Sequence, residues 1–113
     1  MRIAVATNQE GSLEDVIAEH SGRAENFLIY DTESDKFTVK PNPEFLGKPE
    51  LPPDFLHRLK ANVVIVFGLG PRAEKKFKKY KIKMHKAITG TILDNIEALK
   101  KGDLRKLAKE DIF

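Results

Sequence analysis

His20 stands in the run His20-Ser21-Gly22-Arg23, where an imidazole, a hydroxyl and a guanidinium follow one another around a glycine. A neutral imidazole gives one metal bond near neutral pH, and a glycine-containing loop leaves it accessible. Arg23 and Arg72 are permanent positive charges suited to an anion. Arg72 closes a second stretch, Gly68-Leu69-Gly70-Pro71-Arg72, which follows the apolar run Val63 to Phe67. Its two glycines permit positive φ or close backbone approach, and Pro71 suits the first turn of a helix. The first amides of such a helix have no intrahelical acceptor and lie at the positive end of its dipole, so with Arg72 they form a ready anion site. Thr7-Asn8 and Thr89-Gly90-Thr91 add small polar residues at the ends of two further short elements.

Other chemistry finds less material. Cysteine is absent, which removes disulfides, thiolate zinc sites, cysteine nucleophiles and cysteine-held iron–sulfur clusters. A two-metal nuclease site would want carboxylates on the central strands, but Arg2 to Thr7 and Val63 to Phe67 contain none. Asp31 ends a strand at the edge away from the proposed pocket. No buried His-Asp partner for Ser21 is readable, and Gly68-Leu69-Gly70 lacks the lysine and spacing of a Walker loop. His57, beside Arg58 on a helix, and His85, on the lysine-bearing face of an edge strand, both read as exposed. A non-enzyme is therefore expected.

The elements that must position these groups follow from the apolar pattern. Ile3 to Ala6 and Asn26 to Tyr30 read as strands, as does Val63 to Phe67, whose β-branched run suits a strand covered on both faces. Phe37 to Lys40 and Lys81 to His85 alternate as edge strands do. Ser12 to Glu19 has the pattern of a helical turn capped by Ser12 and Asp15. Pro41 to Pro53, with five of the six prolines, reads as an extended loop. Helices are expected from Asp54 to Lys60, from Pro71 to about Tyr80, and from Thr91 to a stop at Gly102, where Ile92, Ile96 and Leu99 recur at i, i+4 and i+7. Asp103 then caps a short turn carrying Leu104 and Leu107.

Joining the first three strands as a meander and the last two by a right-handed crossover gives a five-stranded mixed sheet of order 3-2-1-4-5, with strands one, four and five parallel. Ligands of such sheets sit beyond the carboxyl ends of the parallel strands. That edge collects Thr7, Asn8, Gly68, Leu69, Gly70, Arg72, Thr89, Gly90 and Thr91. Strand two runs the other way, so its start brings His20, Ser21, Gly22 and Arg23 to the same edge.

At 113 residues the chain is expected to form one domain, 1–113, with no apolar run near the ~18 residues of a membrane span. Its opening lacks a signal-peptide core, and the cytoplasm is the expected compartment. The 33% charged content would suit a thermophile. Residues 1–50 carry 5 Lys/Arg against 10 Asp/Glu, and residues 51–113 carry 15 against 7. The lysines from Lys75 to Lys86 read as a solvated helix face around Ala73 and Phe77, so nucleic acid is not the favoured partner.

MRIAVATN, EHSGRAENFLIYD, NVVIVFGLGPRAEKKF and ITGTILDNIEAL together resemble the nitrogenase iron–molybdenum cofactor biosynthesis family, the NifX-like and NafY-like proteins and the tail domain of NifB. The resemblance covers almost the whole chain. It implies a ribonuclease H-like three-layer α/β fold and a small carrier, monomeric or weakly self-associating. The carrier would bind an iron–sulfur–molybdenum cluster or precursor and pass it between donor and acceptor proteins. The family's His-Phe-Gly-Arg segment, with the metal-binding histidine, corresponds to His20-Ser21-Gly22-Arg23; Ser21 replaces the aromatic. Two readings from the residues stay open beside it: an anion or nucleotide module at Gly68 to Arg72, and a lysine-rich protein or RNA interaction module.

Overall fold

The structure, a computed structural model, describes residues 1–113. β1 (Arg2–Thr7), β2 (Asn26–Asp31), β3 (Lys36–Pro41), β4 (Val63–Val66) and β5 (Lys83–Lys86) form one sheet. Its order is β3-β2-β1-β4-β5. β1 pairs parallel with β4, and β4 with β5, while β2 is antiparallel to both β1 and β3. Order and directions are those expected from the sequence.

Alternation along each strand sends side chains to opposite faces. Ala4, Ala6, Phe27, Ile29, Val64 and Val66 meet Phe55 and Leu56 of α1 (Pro52–Arg58) and Phe77 of α2 (Pro71–Lys79). Ile3, Val5, Leu28 and Ile65 meet Ile92 and Ile96 of α3 (Ile92–Lys100) on the other face. The result is three layers. No helix is long and apolar enough to cross a membrane.

Five local expectations are corrected. Ser12 to Glu19 is not helical: the amides of Gly11 and Ser12 both donate to Asp15 Oδ2 at 2.9 Å, the Val16 amide donates to Gln9 Oε1, and the Ala18 amide joins Ala6 O. The Asp15 and Gln9 side chains and the Ala6 carbonyl draw these amides away from the i→i−4 pattern. α1 starts at Pro52, two residues early, because Pro at the first helical positions costs no hydrogen bond. β5 is displaced to Lys83–Lys86, since Lys81 takes φ 58° in the turn that ends α2. Residues 103–108 make no capped turn; the Lys86 amide donates to Arg105 O at 2.9 Å and the Leu107 amide to Met84 O at 3.0 Å, covering the open edge of β5. His85 is consequently half-buried rather than exposed, with Nδ1 3.0 Å from Leu104 O.

Candidate functional site at the carboxyl ends of the parallel strands

β4 ends at Val66, with one residue between it and Gly68, and Gly70 precedes Pro71 at the start of α2. The first intrahelical bond runs from the Glu74 amide to Gly70 O at 3.1 Å, leaving the Arg72 and Ala73 amides without an acceptor inside the helix. α3 starts differently. Its Ile92 and Leu93 amides donate to Asp15 O and Leu13 O, and Thr91 and Asp94 close a reciprocal capping box. One helix start is thus available to a ligand and the other is consumed by the fold.

His20, Ser21, Gly22 and Arg23 form one wall of a cleft of about 800 Å³. Gly68, Leu69, Gly70 and Arg72 line the same cleft. A second cleft of about 870 Å³ adjoins it, lined by Asn8, Thr89 and Gly90. Four residues, His20, Arg23, Gly68 and Phe113, belong to both clefts and mark the divide between them. Two predicted residues line neither: Thr7 is fully buried, holding Asp15 Oδ2 at 3.3 Å and the Gln9 amide at 3.1 Å, and Thr91 is the N-cap of α3.

Neither Arg23 nor Arg72 is in an ion pair; Glu74, one possible partner, is taken by Lys78 at 3.2 Å. His20 is exposed. Lys75 also reaches the first cleft, while Lys76 is held at 2.8 Å by Asp54 of α1. The Lys76 ammonium and the Tyr80 hydroxyl beside Asp54 keep its carboxyl below the usual carboxylate range. Glu44 is the one acidic side chain lining this cleft. No three His, Cys, Asp or Glu side chains converge to enclose a metal ion. The residues present suit an anion that brings most of its own metal ligands and takes one imidazole from the protein.

The loops of this rim are held by buried polar side chains that the sequence reading did not single out. Asn42 donates to Gly22 O at 3.2 Å and Ala24 O at 2.9 Å and accepts from the Glu44 amide, fixing the His20 loop. Asn95 accepts from the Ile88 amide at 2.8 Å and donates to Ile88 O and Thr91 O, fixing the Thr89-Gly90 loop. Both are fully buried. Asn95 had a visible signal, a polar residue on the apolar stripe between Ile92 and Ile96. Asn42, between two prolines in a loop, had none.

An α/β layer structure with an anion-suited cleft at this edge defines the general class. The family model for the dinitrogenase iron-molybdenum cofactor family matches residues 1–102, and the chain belongs to that family. Among solved structures it is similar to the apo form of the orange protein from Desulfovibrio gigas, with TM-score 0.84 and 19% identity over 95% of this chain and 92% of that one. It is also similar to a candidate NifB protein from Thermotoga, placed in the DUF35 family, with TM-score 0.78 and 25% identity over 94% and 92%. A candidate dinitrogenase from Methanocaldococcus jannaschii gives TM-score 0.74 and 22% identity over 96% and 95%. No curated protein matches the sequence.

Proposed function

We propose that this protein is a small non-catalytic carrier that takes an iron–sulfur–molybdenum cluster, or a precursor of one, as cargo between donor and acceptor proteins during cofactor biosynthesis. Membership of the dinitrogenase iron-molybdenum cofactor family supports a role in that biosynthesis. The observation that carries the reading is the convergence of His20, Arg23, Arg72 and the free start of α2 on one cleft. His20 would give the single protein bond to a metal of the cargo; Arg23, Arg72 and the backbone at Gly70 would neutralise its negative charge. The cleft is open, as release to an acceptor requires.

The test is metal analysis of protein isolated without oxygen, alongside the His20→Ala variant. Metal in the native chain and its loss from a normally folded variant is the expected result. Equal metal content in the two would remove His20 from the site. A second reading, an anion or nucleotide module at Gly68 to Arg72, has in its favour the unpaired Arg72 beside the free amides of α2. It would show as phosphate-ligand binding that ignores His20→Ala and fails in Arg72→Ala.

A further inference from the structure

Residues 103–113 lie beyond the family match, which ends at 102, yet part of this segment sits on the proposed site. The Leu69 amide donates to Asp111 O at 3.1 Å and the Phe113 amide to Leu69 O at 3.0 Å, so the segment pairs with the turn that opens α2. The Phe113 ring lies on the backbone of Gly68: a Cβ built there would fall 2.5 Å from Phe113 Cε1. Only glycine admits that approach. Despite this seat, Phe113 is 72% exposed, and it lines both clefts at their divide.

What holds the segment is mainly one carboxylate. Asp111, 6% exposed, accepts from Arg105 at 2.8 and 3.2 Å and from the Ala108 amide at 2.8 Å, and lies 3.3 Å from Lys86 Nζ on β5. Upstream, Leu104 is buried in the core and anchors the start of the segment. Between Leu104 and Phe113, then, a fixed root is followed by a stretch tied by charge.

Resting on the carrier reading above, we propose that residues 109–113 are a displaceable strap that competes with cargo for the divide between the clefts, with Phe113 the occupying group and Asp111 the latch. A small anion fits beside Arg72 and the start of α2 without disturbing it. A cluster that touches His20 and the Gly68 backbone together must displace Phe113. Departure of the whole strap, Asp111 included, frees the Leu69 amide as well as its carbonyl and joins the two clefts. The strap therefore sets a size-dependent penalty: apparent affinity for large cargo is reduced by the fraction of molecules whose strap is open.

The experiment uses the full chain without oxygen and two sulfide-bearing dianions of different size, tetrathiomolybdate and a synthetic thiolate-ligated iron–sulfur cubane. Affinities are measured for the native chain, Asp111→Asn and Phe113→Ala, and hydrogen exchange is followed in the peptides containing Leu69 and Phe113. Both variants should bind the cubane about tenfold tighter than the native chain, and Asp111→Asn should bind tetrathiomolybdate unchanged. In the native chain the cubane should deprotect the Leu69 peptide and tetrathiomolybdate should not. Cubane binding with that peptide still protected, and no gain in either variant, would overturn the strap while leaving the site intact. Failure of both anions to bind any form would overturn site and strap together. Should Asp111→Asn fail to fold, Phe113→Ala decides by the same readouts.

Discussion

The two rims of the sheet are fed by the same five strands but built on different principles. At the far rim, the β2–β3 hairpin and the turns into β4 and β5 are short, and each contains a left-handed residue that is not glycine: Asp35, Lys60 and Lys81, at φ 56°, 63° and 58°. Their hydrogen bonds are local, such as the Asp35 amide to Asp31 O and the Lys81 amide to Lys78 O. At the near rim the connections are longer, and buried polar side chains fix them: Asp15, Asn42, Asn95 and Asp111. Turns of the first kind close on their own backbone. Loops that present groups to a ligand cannot spend their backbone on one another in that way, so the core supplies partners instead.

Removing an anchor should therefore cost far more than altering a turn. Asn42→Ala leaves the Gly22 and Ala24 carbonyls without their donor and should lower unfolding free energy by about 2–4 kcal/mol, with Asn95→Ala close behind. Urea denaturation measures both. A loss below about 0.5 kcal/mol for either would mean that water replaces the side chain and the anchoring idea fails.

The far rim should respond weakly and in the opposite direction. Lys60→Gly removes a left-handed lysine, a relief of about 1–2 kcal/mol, against about 0.5–1 kcal/mol of added chain entropy when unfolded. A net gain of no more than about 1 kcal/mol is expected in the same assay, and a loss would show that the lysine side chain makes a contact worth more than the strain.

The smallest effect is confined to pH, and it also separates the rims. At the far rim the Tyr30 hydroxyl donates to Asp35, and that bond, with burial, pushes its pKa up to about 12. A raised folded pKa means stability that is complete below the ordinary tyrosine value of about 10 and lost as pH rises through about 12. Tyr30→Phe should abolish this alkaline slope. At the near rim Arg105, the Ala108 amide and Lys86 hold the Asp111 carboxyl well below the usual carboxylate range. Its contribution is present above the unfolded carboxylate pKa and is lost only as pH falls through the depressed folded value. Exchange protection of the Leu69 amide should accordingly stay level from pH 8 to pH 5, whereas in Asp111→Asn it should be weaker throughout.

Much of the architecture was legible in the chain because strands and helices advertise themselves locally. The apolar run at Val63 to Val66, the alternation at Phe37 to Lys40 and the stripe of Ile92, Ile96 and Leu99 each follow from a period of two or 3.6. Strand order followed from connection lengths, and it put His20, Arg23, Gly68, Gly70 and Arg72 on one rim. The misread stretches share one property. Ser12 to Glu19 carries a helical pattern, but its amides find Asp15, Gln9 and Ala6 instead.

The amino-acid order by itself determined which segments become strands and helices, and therefore which end of the sheet gathers an imidazole, two guanidiniums and a glycine-proline helix start. Only the tertiary structure decided that α3's start is consumed by Leu13 and Asp15 while α2's stays free, that Thr7 and Thr91 serve the fold, and that Phe113 comes to rest on Gly68. Periodic elements are set by neighbours a few residues apart. Competition for a particular amide or cleft is settled between groups as distant as Leu69 and Asp111, and no local pattern encodes its outcome.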